Sequence, residues 1–287
     1  MSGRRVLLSW SSGKDCSWTL YTLKTDPSYA DCTVVGLLTT FNEQNARVAM
    51  HGTRKEVVCA QSRALQLPLW QVDLPSPCSN EVYAKRMSAL FKEALAAGVT
   101  HIAYGDLWLA DVRKYRESTH EGTGIAPLFP IWLGGEEEAV CFERTKALAE
   151  RMLAQGLRAY LCTVDTKAIS RELCGKPLNA SLLGALAAAG ADCCGEKGEY
   201  HTCCFAGPHM GGSGVPVELA VPGDLVEKGQ FVYADLCLPE AEAGGEPHPG
   251  GLVLNAAAFA TREASLGAGW ERAAALGEKL CPSSPPK

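Results

Sequence analysis

Short apolar runs alternate with amphipathic stretches in the first part of the chain, and this alternation constrains the fold more than any other feature. Four runs have the length and composition of buried strands: Val6–Trp10, Thr33–Thr39, Leu69–Leu74 and Val99–Tyr104. The stretches between them carry apolar residues at helical spacing. Strands joined by helical crossovers form a parallel sheet that is covered on both faces. The sequence therefore predicts an α/β fold with a doubly wound, Rossmann-like parallel sheet.

Polar and glycine-containing segments follow three of these predicted strands. Ser11–Asp15 comes after the first strand, Thr39 begins the segment after the second, and Gly105-Asp106 comes after the fourth. In an open parallel sheet, ligands bind outside the carboxyl ends of the strands. We therefore expect these segments to share one binding site, with Asp106 close to the ligand.

The segment Ser11-Ser12-Gly13-Lys14-Asp15 is a candidate phosphate-binding loop, because a helix is predicted to start directly after it. Backbone N–H groups and the helix dipole attract anions at such a turn. Ser12 and Gly13 are small enough for close approach of a phosphate, Ser11 can donate a hydroxyl hydrogen bond, and Lys14 supplies a positive charge. Asp15 either caps the helix or contacts a magnesium ion carried by the phosphates. The alternative is an ordinary strand–helix turn with an exposed lysine.

Two common phosphate-binding motifs do not match this loop. A Walker A motif has four residues between its first glycine and Gly-Lys-Ser/Thr. In this sequence Ser9 occupies the position of that first glycine, and Asp15 replaces the magnesium-binding hydroxyl residue. The dinucleotide-binding fingerprint requires three glycines, of which only Gly13 is present. A phosphate bound here would need a loop of another kind.

A second set of helices and strands is predicted after the apolar connector Pro127–Trp132. The predicted elements are helices at Glu138–Gln155 and Leu178–Ala189 and strands at Arg158–Val164 and Tyr200–Phe205. Further along, Val215–Val221 and Phe231–Leu238 have strand-like patterns and could pair with each other. The sequence thus predicts a nucleotide-binding domain over residues 1–132 and a smaller α/β region over 133–238.

The remaining residues, 239–287, form a predicted tail rich in alanine and glycine. Ala256–Ala275 could hold a helix in this tail, and Pro282–Lys287 has the composition of a disordered end.

A charged turn, Gly195-Glu196-Lys197-Gly198-Glu199, lies just before His201 in the second region. Its two carboxylates and the histidine are candidates for acid–base chemistry or for binding a cation. Composition alone favours the alternative, a charged surface turn that leads into a strand. Zinc binding is not expected from the nearby cysteines, because they occur as adjacent pairs rather than at zinc-ligand spacing.

Composition excludes several classes of protein. The formal net charge of −5 provides no broad basic surface for nucleic acid or for an anionic membrane. No apolar run reaches membrane-spanning length, and no signal peptide is evident. The 13 cysteines then indicate buried small hydrophobic residues in a reducing compartment. We therefore expect a cytoplasmic protein without membrane or nucleic-acid partners.

Four motifs occur in an order that resembles the diphthine–ammonia ligase branch of the PP-loop ATP pyrophosphatases. They are the Ser-x-Gly-Lys-Asp loop, His51-Gly52, Gly105-Asp106-Leu107, and Gly-Glu-x-Gly-Glu followed by x-His-Thr. The resemblance runs from about Arg5 to Leu238, and the Gly-Glu-x-Gly-Glu stretch is its most diagnostic part. The usual loop of the family is Ser-Gly-Gly-x-Asp-Ser, so Ser12 and Cys16 are departures from it.

This resemblance implies a PP-loop, adenine-nucleotide α-hydrolase type of sheet and an AMP-forming amide ligase. A carboxylate on diphthine, a modified histidine of elongation factor 2, is adenylated by ATP with loss of pyrophosphate, and ammonia then forms the amide. By position, the resemblance assigns catalytic roles to Lys14, Asp15, Glu196 and Glu199, with both glutamates facing the acceptor. ATP and Mg²⁺ would be held by Ser11, Ser12, Gly13, Lys14, Asp15, Cys16, Thr39, Gly105 and Asp106.

The trimethylammonium group of diphthine suggests aromatic contacts as well. Candidates by position are Tyr104, Trp108, Tyr115 and Trp132.

Two other functions remain open at this point. A PP-loop enzyme could act on tRNA or on another small molecule, and a related non-catalytic protein could bind ATP as a sensor. The absence of a Cys-x-x-Cys pair argues against sulfur transfer to tRNA, and Ser2 in place of a cysteine argues for ammonia rather than glutamine as the nitrogen source. A sensor would not need the Gly-Glu-x-Gly-Glu element.

Overall fold

A computed structural model of the protein describes residues 3–134, 137–210, 214–219 and 225–262. The first half of the chain alternates strands with helices. Its elements are β1 (Arg4–Ser9), α1 (Lys14–Thr25), β2 (Cys32–Asn42), β3 (Arg47–Val48), α2 (Lys55–Leu65), β4 (Leu69–Leu74), α3 (Asn80–Ala96), β5 (His101–Ala103), α4 (Ala110–His120) and β6 (Ala126–Leu128).

The second half contains one long helix, two shorter helices and a group of mostly short strands. Its elements are α5 (Glu138–Ala154), β7 (Arg158–Asp165), α6 (Ala180–Ala188), β8 (Tyr200–Ala206), β9 (Glu218–Leu219), β10 (Leu225–Lys228), β11 (Phe231–Ala234), β12 (Leu236–Cys237), β13 (Val253–Leu254) and α7 (Ala256–Arg262). None of the helices within the described ranges is both long enough and apolar enough to cross a membrane.

The central sheet has the strand order β13–β4–β2–β1–β5–β6, and all of these neighbours are parallel. The chain moves outward from β1 to β2 and β4, and then continues on the other side of β1 with β5 and β6. The carboxyl ends of β1 and β5 therefore flank the point where the order of the strands reverses. In open α/β sheets this point forms a crevice in which ligands bind.

Apolar side chains of the central strands alternate between the two faces of the sheet. Leu8 packs in one apolar cluster with Trp18 of α1, whereas Leu7 packs in the opposite cluster with Leu90 of α3. Helices therefore cover both faces, and continuous apolar runs are typical of strands buried in this way. The predicted α/β class with a mostly parallel, doubly covered sheet is confirmed.

The second half adds an antiparallel sheet with the strand order β10–β11–β7–β8. One apolar cluster extends from Val6 and Leu8 of the central sheet to Leu161 of β7 and Leu183 of α6. Because this core is shared, β8 is held close to the amino-terminal end of α1. The domain boundary predicted after Trp132 lies just beyond β6 and stays a prediction.

Several details differ from the sequence-based expectations. The second strand was predicted to end at Thr39, but β2 continues to Asn42 and pairs with β3 in a short hairpin, because Phe41 and Val48 are both buried. The expected connector after residue 126 begins as β6, an edge strand. Pro127 is tolerated there because an edge strand does not need every N–H group.

The carboxy-terminal segment returns to the central sheet. β13 adds to β4 as a parallel strand, and α7 follows directly. The predicted helix Ala256–Ala275 is thus present over Ala256–Arg262, while its remainder and Pro282–Lys287 lie outside the described residues. The predicted pairing of two segments near residues 215–238 is present as Leu219 opposite Leu236.

Candidate functional site

A cavity of about 450 Å³ lies at the carboxyl ends of β1 and β5. This volume is within the range of small-molecule sites. The loop after β1 and the segment after β5 form one side, and the residues before and within β8 form the other side. Polar and charged residues of the lining include Ser11, Lys14, Asp15, His51, Asp106, Arg116, Glu196, Tyr200, His201 and Thr202.

The Ser11–Asp15 loop turns sharply before α1. Ser12 has a φ of 74°, in the left-handed region that side chains other than glycine rarely adopt. A Cβ atom at Gly13 would lie 2.9 Å from Cε1 of His51 and 3.2 Å from the carbonyl oxygen of Thr202. Glycine is therefore needed where the loop passes beneath these two residues.

Backbone donors of this loop are available for a ligand. Within the described part of the chain, the N–H groups of Ser11, Ser12 and Gly13 make no backbone–backbone hydrogen bond, and those of Ser11 and Gly13 point towards the Cys16 thiol. Lys14 N–H donates to Oγ1 of Thr202 at 3.0 Å. Gly13 precedes the first turn of α1, where further N–H groups and the helix dipole favour an anion. The loop thus has the electrostatic properties expected of a phosphate site.

Lys14 is almost completely buried. Its ammonium donates to Oδ2 of Asp15 at 2.8 Å and to the carbonyl oxygen of Cys194, and it lies 5.2 Å from the centre of the Tyr200 ring. Burial alone would lower the pKa of Lys14, but the neighbouring Asp15 carboxylate raises it, so the ammonium stays charged. The predicted alternative of an exposed lysine is therefore wrong.

Asp15 presents one carboxylate oxygen to Lys14 and leaves the other without a partner. Oδ1 is buried and has no hydrogen bond among the described residues. Burial raises the pKa of this carboxyl, and the charge of Lys14 opposes the shift. No side-chain cap at the start of α1 is made by Asp15, since Gly13 is the capping residue. The unpartnered oxygen is an available ligand for a cation.

Three other residues predicted to hold ATP, namely Ser12, Thr39 and Cys16, use their polar side-chain atoms in hydrogen bonds within the fold. The Ser12 hydroxyl is hydrogen-bonded to Thr53 at 2.8 Å, and the Thr39 hydroxyl donates to the carbonyl of Trp10 at 2.7 Å. The Cys16 thiol donates to the carbonyl of Gly13 at 3.1 Å, and burial raises its pKa to about 11. Of these three residues, only Cys16 is part of the cavity lining.

Gly105 and Asp106 reach the site from the end of β5. A Cβ atom at Gly105 would lie 3.0 Å from the backbone nitrogen of Cys16, so glycine allows β5 to approach the first turn of α1. The Asp106 carboxylate accepts a hydrogen bond from Nε of Arg116 at 3.3 Å. Arg116 also lies over the Tyr104 ring at 4.7 Å, and these contacts hold the guanidinium at the cavity wall.

Glu196 faces the Ser11–Asp15 loop across the cavity. Its Oε1 accepts a hydrogen bond from the backbone N–H of Leu107 at 2.7 Å. Burial raises its pKa to about 8, and the nearby Asp15 and Asp106 charges act in the same direction, although the Leu107 hydrogen bond opposes them. The group is therefore mostly protonated at neutral pH and titrates about one pH unit above it, which suits proton transfer.

Glu199 points elsewhere, although it belongs to the same turn. It is buried, lies outside the cavity lining, and accepts a hydrogen bond from the backbone N–H of Asp192 at 3.1 Å. The Asp192 side chain accepts in turn from Nε1 of Trp108 at 2.8 Å. The structure thus brings Glu196, but not Glu199, to the cavity.

The four aromatic residues expected to contact the acceptor do not lie together at the cavity. Tyr104 lines the cavity, but Arg116 covers one face of its ring. Trp108 is engaged by Asp192, and the Trp132 ring lies 4.9 Å from the Arg113 guanidinium, away from the lining residues. Tyr115 is likewise outside the lining.

Among the lining residues, His51, Arg116 and Tyr200 had no role assigned from the sequence, whereas His201 was a candidate for acid–base chemistry. His51 stands in the His51-Gly52 motif, so that motif was a usable signal. Arg116 occurs in a dense charged segment that resembles a solvent-exposed helix face. Only the contact of α4 with the end of β5 distinguishes it from its charged neighbours.

Comparison of the chain with protein-family models and with curated proteins gave no match.

Proposed function

We propose that the protein binds ATP with Mg²⁺ in this cavity and is an AMP-forming amide ligase of the PP-loop type. The observation that carries the proposal is the Ser11–Asp15 loop, whose first three N–H groups have no backbone acceptor among the described residues and which lies between β1 and α1 at the reversal point of a parallel sheet. The acceptor suggested by the motif resemblance is the carboxylate of diphthine on elongation factor 2, with ammonia as the nitrogen donor.

The residues present fit a triphosphate and a magnesium ion. The loop donors and Lys14 would contact phosphate oxygens, and the unpartnered Oδ1 of Asp15 would bind the metal. Among the described residues, this cavity included, no group of three or more His, Cys, Asp or Glu side chains that could hold a metal ion is present. Magnesium commonly uses one or two carboxylates together with substrate phosphates, so a single aspartate is sufficient here.

The chain's own residues suit an adenylation reaction. Loop N–H groups and Lys14 would offset charge as pyrophosphate leaves, and Mg²⁺ would add Lewis-acid stabilisation when bound. Glu196 lies on the opposite wall, where the acceptor would enter. Because its pKa is about 8, its ionised form is basic enough to take a proton from an incoming ammonium, and a cationic group of the acceptor would favour that ionised form.

Product analysis by ³¹P NMR tests this proposal. The protein is incubated with ATP, Mg²⁺, ammonium and elongation factor 2 that carries diphthine. The expected products are AMP and pyrophosphate in equal amounts, together with one amide per AMP. Formation of ADP and phosphate would contradict a PP-loop mechanism, and binding of ATP without any turnover would favour a sensor.

A further inference from the structure

The charged side chains that line the cavity do not by themselves neutralise a triphosphate. Within the described lining there are two cations, Lys14 and Arg116, and three acids, Asp15, Asp106 and Glu196. Lys14 pairs with Asp15 at 2.8 Å, and Arg116 pairs with Asp106 at 3.3 Å. A triphosphate would therefore require positive charge beyond that of these side chains, and Mg²⁺ would supply only part of it.

Two histidines lie directly beside the phosphate-binding loop. The rings of His51 and His201 have their centres 4.6 Å apart with an interplanar angle of 32°, and both residues line the cavity. Nδ1 of His51 is 3.0 Å from the carbonyl oxygen of Thr202, so this nitrogen carries the proton. Nε2 of His201 is buried and has no partner among the described residues.

The position of His51 above Gly13 is the decisive geometric point. Cε1 of His51 lies 2.9 Å from where a Cβ of Gly13 would stand, so the imidazole edge is in contact with the loop that offers its N–H groups. Because Nδ1 is directed to Thr202, Nε2 is the ring nitrogen available for a hydrogen bond with a ligand. A proton on Nε2 would give both a charge and a hydrogen-bond donor next to the phosphates.

We propose that His51 is a further phosphate-binding residue, which takes up a proton from solvent when the triphosphate enters and donates a hydrogen bond from Nε2. No other bond forms or breaks in this step. His201 stays neutral and packs against the charged ring, because two imidazolium groups at this distance would repel each other.

The groups around His51 determine its protonation state in the free protein. Lys14 of α1 is the charged group whose field acts on it, and burial together with Lys14 lowers its pKa to about 4, while the Thr202 hydrogen bond opposes the shift. Tyr200 and His201 of β8 lie on the same side of the cavity as His51. Asp15 of α1 and Glu196 of the turn before β8 also line the cavity. His51 is thus neutral in the free protein at neutral pH, and the anion supplies the charge that would stabilise its protonated form.

This inference rests on the proposed function only for ATP binding, and isothermal titration calorimetry with MgATP tests it without measuring turnover. Titrations at pH 7.5 in buffers with different ionisation enthalpies give the number of protons taken up. We expect net proton uptake by the wild-type chain, up to one proton per ATP. The dissociation constant should therefore rise with pH between pH 6.5 and 7.5, with an upper limit of about tenfold per pH unit for uptake of one full proton.

Two variants assign the proton to His51. His51→Asn keeps a donor for the Thr202 carbonyl but cannot be charged, and His51→Gln places an uncharged amide near the Nε2 position. Both should bind MgATP without proton uptake, and folding is checked by their melting curves. His209→Asn is the matched control, since burial lowers the pKa of His209 to about 4 as well, but His209 lies outside the cavity lining.

Each outcome has a separate meaning. Proton uptake that persists in both His51 variants, or that disappears only in Glu196→Gln, overturns the inference, as does wild-type binding without uptake. If MgATP gives no binding at all, the proposed function fails as well. If uptake depends on His51 but the reaction yields ADP, the inference stands and the ligase assignment falls.

Discussion

The Ser11–Asp15 loop and the Gly195–Glu199 turn meet across one cavity, but different forces place them there. The first loop follows β1 at the reversal point of the sheet, so the topology alone brings it to the site. The second turn is held by contacts between residues far apart in sequence, notably Glu196 with the N–H of Leu107. A loop placed by topology should tolerate loss of one contact, whereas a turn placed by hydrogen bonds should depend on each contact.

Lys14 links the two elements, and its replacement should have the largest effect. Lys14→Met removes the contact with Asp15 and the donor to the Cys194 carbonyl. We expect turnover to fall by about 1,000-fold. The free energy of unfolding should fall by about 1–3 kcal/mol, because the Asp15 carboxylate and the Cys194 carbonyl lose their buried hydrogen-bond donor. An exposed lysine, which was the alternative considered from the sequence, would leave the free energy of unfolding unchanged on replacement.

The double variant Lys14→Met/Asp15→Asn separates stability from activity. It removes the unpaired carboxylate and should recover part of the lost stability, measured by denaturant unfolding, without recovering turnover. Recovery of turnover in this variant would show that neither charge takes part in the reaction.

Glu196 and Glu199 provide the sharpest contrast within one turn. Glu196→Gln keeps an oxygen for Leu107 but cannot exchange a proton, so we expect pyrophosphate release to fall by about 100-fold. Glu199→Gln keeps the acceptor for Asp192 and lies outside the lining, so turnover should stay close to wild type. Equal losses in steady-state assays of the two variants would contradict the division of roles seen in the structure.

The pKa of Glu196 also predicts how stability depends on pH. Its pKa rises from 4.5 to about 8 on folding, so between these pH values the unfolded chain loses a proton that the folded chain keeps. Rising pH therefore favours the unfolded state, by about 1.4 kcal/mol per pH unit for full linkage. Denaturant unfolding should show Glu196→Gln becoming more stable than wild type from pH 5 to 8, with no further gain above pH 8.5. Parallel stability curves would mean that Glu196 is ionised in the folded protein.

Cys16→Ser should have the smallest effect. The thiol donates only a weak hydrogen bond to the Gly13 carbonyl, and a serine hydroxyl can make the same bond. We expect ATP affinity, measured by titration, to stay within about threefold of wild type, since one such bond contributes roughly 0.5 kcal/mol. A loss of more than tenfold would assign the thiol a role in ligand binding.

The parts of the structure that follow from local sequence pattern could be predicted. Val6–Trp10 and Leu69–Leu74 are apolar runs of strand length, and both are strands of the central sheet. The loop after β1 followed from the same reasoning, since parallel strands place their carboxyl ends together. The hairpin of β2 and β3 was missed because its pairing depends on burial of Val48, which lies in a polar segment.

The finer geometry of the site could not be predicted in the same way. Glu196 and Glu199 are three residues apart and chemically alike, and only their long-range partners, Leu107 and Asp192, direct them differently. Thr39 was expected to begin the segment after a strand, but it lies within β2, and its hydroxyl donates a hydrogen bond to the carbonyl of Trp10. Side-chain direction in a turn depends on such contacts, which sequence pattern does not encode.

A crystal structure with α,β-methylene ATP and Mg²⁺ would test the central claim most directly, because this analogue cannot be cleaved between the α and β phosphates. We predict that the triphosphate accepts hydrogen bonds from the backbone N–H groups of Ser11–Gly13, with Mg²⁺ bound to Oδ1 of Asp15 and the triphosphate turned away from Glu199. A triphosphate bound elsewhere, such as in the separate 240 Å³ pocket between Arg47 and Tyr233, would contradict the account.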